Sequence, residues 1–156
     1  MRVFISHKST DSLQALKLAA AFAKNGIRYY LDVLDGKING DGRELTEHIK
    51  QNLNECTDII VVMSEATKTS WWVPFEIGMS AQVDMPTASF LKGNVEMPSY
   101  LSYWPRLKTE SDVDKYVAVR EKTRQIINEQ CTHTYFADRK ATETRAFYDA
   151  LKRELR

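Results

Sequence analysis

The sequence predicts an α/β domain in which a parallel β-sheet of about five strands carries helices on both faces. Short β-prone apolar segments alternate along the chain with segments of helical periodicity, the pattern of a parallel sheet with crossover helices. One segment, DIIVVMS at residues 58–64, contains a continuous apolar run that is typical of a strand buried on both faces. The chain length of 156 residues suits one domain, so we expect a single domain over residues 1–156.

The strands are predicted from β-prone apolar runs bounded by polar turns. They fall at RVFI, IRYYLDV, DIIVVMS and TASFL, which are residues 2–5, 27–33, 58–64 and 87–91. A short fifth strand is expected between residues 92 and 111.

The helices are predicted from apolar residues at helical spacing. They cover residues 12–25, 45–56, a segment that ends near Gln82, residues 111–130 and, after a connector at residues 131–141, a final segment that contains Phe147, Leu151 and Leu155. In the first helix we expect Leu13, Leu16, Ala20 and Ala23 to form the buried face, with Gly26 as the stop signal. In the fourth helix we expect Ser111 and Asp114 to form a capping box.

Composition excludes several classes of function. The formal net charge is +1 and the charges are scattered, so we expect no nucleic-acid partner and no anionic membrane surface. No run approaches the 18 apolar residues of a membrane span. The two cysteines, Cys56 and Cys131, are far apart and fit a reducing cytoplasm, and the three histidines show no metal-ligand spacing. We therefore expect a cytoplasmic protein without a metal.

Motifs for common nucleotide and phosphate chemistries are missing. The sequence has no G-x-x-x-x-G-K-[ST] and no G-x-G-x-x-G after the first strand, which excludes a P-loop and a dinucleotide fingerprint. A phospho-receiver needs acidic residues after its first and third strands, and those places hold Ser6, His7 and Ser64. Ligands of an open parallel sheet bind beyond the carboxyl ends of the strands, so the loops at that edge are the candidate site.

The stretch SWWVPFEIG, residues 70–78, is the most unusual of these loops. If a helix begins near Trp72, then Trp72 and Glu76 lie four residues apart on one face. If the helix begins at Pro74, then Glu76 lies in the first turn and can act as a capping carboxylate. Trp71 and Trp72 point about 100° apart on a helix, so we expect one to pack inward and the other to line a cavity.

Taken in order, VFISHKSTD, GIRYYLD and IKQNLNECTDIIVVMSEATKTSWWVPFEIG resemble the Toll/interleukin-1 receptor (TIR) domain. The resemblance covers residues 2–82, with the motif S-x-W-x-x-x-E at residues 70–76, whereas residues 83–156 are less typical. It implies a flavodoxin-like TIR fold. In one branch of the family, TIR domains are adaptors that signal by contact, and in another they cleave NAD+ at the nicotinamide–ribose bond.

The resemblance also implies roles for individual residues. Glu76 corresponds to the catalytic glutamate of the family, and Trp72 corresponds to a wall of its pocket. Asp32 and the three residues after the first strand, Ser6, His7 and Lys8, correspond to the substrate cleft. Because the glutamate is present, the resemblance favours the enzyme, with NAD+ as substrate and no separate cofactor. A TIR adaptor and a nucleoside-processing enzyme such as a deoxyribosyltransferase remain alternatives.

The resemblance further implies partners and a product. Members of this kind self-associate, and the loop from Val33 to Gly42 mediates TIR–TIR contacts in the family. Standalone bacterial members resemble the NADase of Thoeris-type anti-phage defence, whose cyclic or conjugated ADP-ribose product reaches a separate effector. Some assignments stay open at this stage. Tyr100, Tyr103 and Trp104 either stack on a ring of the substrate or pack in the core, and Lys8, Lys37 and Arg43 either face phosphates or lie on plain surface.

Overall fold

The computed structural model describes residues 1–32, 42–130 and 136–156, without the side chains of Tyr100, Gln130 and residues 136–138. Five strands are present in this part of the chain: β1 (Arg2–Ser6), β2 (Arg28–Leu31), β3 (Asp58–Met63), β4 (Thr87–Leu91) and β5 (Arg106–Leu107). The longer helices are α1 (Ser12–Lys24), α2 (Gly42–Asn54), α3 (Trp72–Gln82), α4 (Glu110–Gln130) and α5 (Phe136–Glu154). Short 3₁₀ turns cover Ser9–Asp11, Thr67–Thr69 and Ser99–Leu101.

The five strands form one parallel sheet in the order β2-β1-β3-β4-β5. This is the flavodoxin-like strand order, in which the chain reverses direction across the sheet between β1 and β3. The predicted fold class is therefore confirmed. The prediction of one domain over the whole chain stays a prediction.

Alternating side chains of the strands divide the core into two layers. Val3 and Ile5 of β1 pack with α1, α4 and α5, whereas Phe4 packs on the other face with α2 and α3. The same alternation in β3 and β4 buries both faces of the sheet. The register places Ser6, Val61 and Ser89 in one row across β1, β3 and β4.

The predicted buried face of α1 is wrong. Leu13 is 70% exposed and Leu16 is 54% exposed, and both Ala20 and Ala23 are exposed. The residues that pack on the sheet are Ala15, Leu18, Ala19, Ala21 and Phe22. Because α1 is apolar on two sides, its periodicity could not choose the side that packs. The sheet selects the side that carries Leu18 and Phe22, the bulkier pair.

Helix ends differ from prediction in two places. The α4 helix begins at Glu110, and its capping box is formed by Thr109 and Asp112 and not by Ser111 and Asp114. The α5 helix begins at Phe136, inside a segment predicted as a connector. By contrast, Gly26 follows α1 at φ +70°, a conformation that favours glycine and fits the predicted stop.

Candidate active site

Two of the predicted cleft residues lie at the carboxyl edge of the sheet. Ser6 ends β1 and is fully buried, and Asp32 follows β2 and is 4% exposed. The backbone N–H of Asp32 donates to the carbonyl of Ile5 at 3.2 Å, so the β1–β2 pairing continues to Asp32. Along each strand, side chains two residues apart share a face. Ser6 therefore shares the face of Phe4, and Asp32 shares the face of Tyr30, which is the face that α3 covers.

Glu76 lies in the second turn of α3. The helix begins at Trp72 with Trp71 as its N-cap, so the alternative start at Pro74 is wrong and Glu76 is not a first-turn cap. Trp72 and Glu76 are therefore four residues apart within one helix, on one face. Pro74 lies in the first turn, where its missing N–H leaves no intrahelical bond unmade.

Glu76 also occupies a core position. The buried residues of α3 are Val73, Glu76, Ile77 and Ser80, a spacing of i, i+3, i+4 and i+7 that faces the sheet. Glu76 is only 1% exposed. Burial of a carboxylate is costly, and ionisable groups buried beside a sheet edge are candidates for function.

Tyr30 lies on the same face of the sheet as Asp32, the face that α3 covers. Its ring packs on Phe4 with 5.3 Å between centroids, and its hydroxyl is 3.0 Å from Nε2 of His48. Burial raises the pKa of Tyr30, and the charges of Asp32, Cys56 and Glu76 add to the increase in that order. Sequence reasoning missed Tyr30, although its place two residues before Asp32 was a signal that the two side chains share a face.

Neither Trp71 nor Trp72 is fully buried, although one of them was expected to pack inward. Trp71 is 90% exposed, and Trp72 is only partly buried. The Trp72 ring meets the ring of Phe75 edge-on, with 6.0 Å between centroids, and Phe75 is 40% exposed. The start of α3 thus presents an accessible aromatic cluster of Trp71, Trp72 and Phe75. The role of Trp72 as a pocket wall stays a prediction.

His7 and Lys8 make contacts away from Glu76. His7 is buried, with Nδ1 3.4 Å from the carbonyl of Ile5 and Nε2 3.4 Å from Oγ of Ser12. These contacts hold the ring at the start of α1, on the opposite face of the sheet from α3. Lys8 Nζ donates to the carbonyl of Ala66 and to Oγ1 of Thr69, both at 3.5 Å, and so joins the loops after β1 and β3.

A buried polar cluster, missed in the sequence, connects the same loops. The carboxylate of Asp11 accepts hydrogen bonds from Ser64, from Thr67 at 2.9 Å and from Lys92 at 2.9 Å. Asp11 is 2% exposed, and burial would raise the pKa of its carboxyl. The bonds from Ser64, Lys92 and Thr67 outweigh burial and lower that pKa. The cluster ties the ends of β1, β3 and β4 together beside the candidate site.

The remaining open assignments separate into three groups. Trp104 is buried in the core while Tyr103 is 57% exposed, and their rings lie 4.4 Å apart just before β5. Core packing therefore accounts for Trp104, whereas Tyr103 stays accessible. Arg43 lies in the first turn of α2, and Lys8 makes the loop contacts described above, so a phosphate contact by either residue stays a prediction. Lys37, Cys131, His133 and the loop from Val33 to Asp41 lie outside the described residues.

Two negative findings apply to the described ranges. In residues 1–32, 42–130 and 136–156, no group of three or more Asp, Glu, His and Cys side chains is arranged to hold a metal ion. Of the helices in those ranges, none combines the length and apolar character needed to cross a bilayer.

The fold and the polar residues at its carboxyl edge define an α/β domain of flavodoxin-like topology with a candidate ligand site. A sequence model of the TIR domain family matches residues 3–96, which is more than half of the 156-residue chain. No curated protein matches the chain at a significant level. The chain belongs to the TIR domain family. The match extends past the predicted motifs to include β4.

Proposed function

We propose that the protein is an NAD+ nucleosidase that cleaves the nicotinamide–ribose bond, with Glu76 as its catalytic residue. TIR domains act as NAD+ hydrolases or as non-catalytic adaptors, so family membership alone does not choose between them. The observation that carries the proposal is Glu76 itself, a carboxylate at a core position of α3, the helix that covers the sheet face of Asp32.

The chemistry needs only one carboxylate. When the bond between ribose C1′ and the pyridinium nitrogen breaks, its electron pair goes to nitrogen and nicotinamide leaves as a neutral molecule. No general acid is needed, unlike the case of an alkoxide leaving group. The ribosyl group gains positive charge in the transition state, and an ionised Glu76 stabilises that charge and binds the ribose hydroxyls. Exclusion of water by Trp72 strengthens this interaction.

The fate of the ribosyl cation decides the product. Attack by water gives ADP-ribose and a proton, whereas attack by an atom of the same molecule gives a cyclic isomer and another nucleophile gives a conjugate. We propose a cyclic or conjugated product that acts in the bacterial cytoplasm as a signal to a separate effector, as in Thoeris-type anti-phage defence. This part of the proposal rests on resemblance within the family.

Self-association belongs to the same proposal. Glu76 is 1% exposed, so its neighbours must move before a ribose can reach the carboxylate. We infer that contact between copies of the chain moves these neighbours. We therefore expect little cleavage by a dilute monomer and a rise in specific activity with protein concentration.

Mass spectrometry of NAD+ incubated with concentrated protein tests the proposal. Wild type is compared with Glu76→Gln and with Glu65→Gln, a control that removes an exposed carboxylate from the loop after β3. We expect nicotinamide release by wild type and by the control, and a loss of about a hundredfold or more in Glu76→Gln. Equal release by Glu76→Gln and wild type would show that Glu76 is not catalytic.

A TIR adaptor is the second candidate, and one observation favours it. Leu13 and Leu16 of α1 are exposed apolar side chains, as is Trp71 at the start of α3, and exposed apolar groups suit protein contacts. If the protein is an adaptor, the Glu76→Gln variant should still bind its partner and still signal. The Trp71→Ala and Leu13→Ala variants should lose that binding, and neither wild type nor any variant should consume NAD+.

A further inference from the structure

A cavity of about 450 Å³ lies at the amino edge of the sheet, opposite the edge that holds Glu76. One wall of the cavity is formed by Met1, which precedes β1, and by residues 56–58, where β3 begins. The other wall comes from the facing parts of α4 and α5. The volume falls within the range of about 300–1,000 Å³ that is usual for small-molecule sites.

Two of the carboxylates that line this amino-edge cavity are paired with the same cation, Arg120. Asp58 is fully buried, and its Oδ1 accepts hydrogen bonds from Tyr116 and from Nε of Arg120, both at 2.9 Å. Arg120 also donates to Glu143. Arg120 therefore binds two of the three carboxylates that line the cavity, which leaves Glu121 as the third.

The cavity is also lined by three further cationic side chains, those of Arg124, Arg139 and Lys140. Arg139 donates to the side-chain amide of Asn128. Within the part of the chain that the structure describes, Arg124 and Lys140 make no hydrogen bond or ion pair. Besides Arg120, three cations thus line the cavity together with one exposed carboxylate, Glu121.

We propose that the amino-edge cavity binds a phosphate monoester attached to a body of up to nucleotide size. Arginine forks hold phosphate oxygens in pairs, and a lysine beside them adds a point charge. Met1 and the Cys56 side chain supply an apolar wall for the body of the ligand. Burial raises the pKa of the Cys56 thiol to about 11, so this wall is neutral at physiological pH.

This second site is independent of NAD+ cleavage. It lies at the opposite edge of the sheet and uses none of the residues assigned to the candidate active site. Its binding can therefore be measured whether or not the protein is an enzyme.

Isothermal titration calorimetry with AMP tests the proposal, and adenosine is the matched probe without a phosphate. The test variant is Arg124→Gln combined with Lys140→Gln. The control is Lys122→Gln, an exposed cation on α4 that does not line the cavity and points about 160° away from Arg124. Thermal unfolding of each variant checks that the fold is retained.

We expect saturable AMP binding by wild type and by the control, and binding of adenosine that is weaker by about tenfold or more. The double variant should lose AMP affinity by a similar factor while its unfolding midpoint stays unchanged. The proposal is overturned if AMP shows no saturable binding at millimolar concentration, or if adenosine binds equally well. It is also overturned if the double variant binds AMP as tightly as wild type, since AMP would then occupy another site.

Discussion

The two edges of the sheet both bury carboxylates, but only the carboxyl edge is the one where parallel sheets bind ligands. At the amino edge, Asp58 is bound by the hydroxyl of Tyr116 and by Arg120, and Arg120 is itself packed over the ring of Phe147. At the carboxyl edge, Asp32 follows β2 on the face of the sheet that α3 covers, and Glu76 lies on the side of α3 that packs on that face. The Asp58 cluster joins β3 to α4 and so stabilises the fold. Asp32 and Glu76 lie at the edge where parallel sheets bind ligands, and our proposal is that Glu76 meets the positive charge that develops on a substrate.

The carboxyl edge also has an ion pair of the stabilising kind. The cluster of Asp11 with Ser64, Thr67 and Lys92 joins three loops, as the cluster of Asp58 joins β3 to α4. Asp11 therefore holds the loops of the carboxyl edge in place, whereas our proposal assigns Glu76 to the reaction.

The largest change in stability is expected from Arg120→Met. The substitution leaves the buried carboxylate of Asp58 and the largely buried carboxylate of Glu143 without their cation. We expect the free energy of unfolding to fall by about 3–5 kcal/mol. Urea unfolding measures it, with Lys122→Met, on an exposed part of the same helix, as the control. A loss no larger than that of the control would mean that the amino-edge cluster contributes no stability.

A smaller loss, with a defined pH dependence, is expected from Asp11→Asn. Hydrogen bonds to the ionised form hold the folded-state pKa of Asp11 below its ordinary value of 3.8. The stability that Asp11 contributes is therefore complete above that value and is lost as the pH falls through the folded-state pKa. At neutral pH we expect Asp11→Asn to cost about 1–3 kcal/mol, and the cost should shrink in acid.

Lys92→Met provides the comparison for this cluster. Lys92 is half exposed, so its loss should cost less than about 1 kcal/mol and should leave the bonds from Ser64 and Thr67 in place. Unfolding curves over a range of pH measure both variants. A cost for Asp11→Asn that does not change with pH would contradict the assignment of an ionised Asp11.

The smallest effect is expected at Cys56, on the wall of the amino-edge cavity. Burial raises the pKa of its thiol from 9.0 to about 11, which lowers the fraction of reactive thiolate by about a hundredfold. In a Cys131→Ser variant, iodoacetamide should therefore label Cys56 slowly when the protein is folded and readily in urea. Mass spectrometry after timed quenching measures the rates. Equal rates in the two conditions would show that the thiol is not shielded.

Much of the fold could be predicted because local pattern decides it. The buried strand at residues 58–64 and the TASFL strand at 87–91 appear close to their predicted bounds, and Gly26 follows α1 as expected. The buried side of α1 could not be predicted, because Leu13 and Leu16 satisfy the same helical period as Leu18 and Phe22. Packing on the sheet decides which of the two sides is buried, and the periodicity of the helix carries no information about the sheet.

In the candidate site, too, features of the local sequence could be predicted, whereas contacts between distant residues could not. Glu76 was singled out by a local motif and Asp32 by the family resemblance, and the roles of both stay predictions. The Asp11 cluster was missed, because its partners Ser64, Thr67 and Lys92 lie 53 to 81 residues away along the chain. The amino-edge cavity was missed for the same reason, since α4 and α5 meet β3 only in the folded chain.

The most direct test of the contrast between the edges measures two conservative variants in two assays. Glu76→Gln changes the carboxyl edge, and Tyr116→Phe removes the hydroxyl that donates to Asp58 at the amino edge. Each is assayed for nicotinamide release from NAD+ and for its free energy of unfolding. We expect Glu76→Gln to lose cleavage without losing stability, and Tyr116→Phe to lose about 1–3 kcal/mol of stability while it keeps cleavage. A Glu76→Gln protein that loses stability as Tyr116→Phe does, yet still cleaves NAD+, would show that Glu76 is a structural residue and would contradict the account.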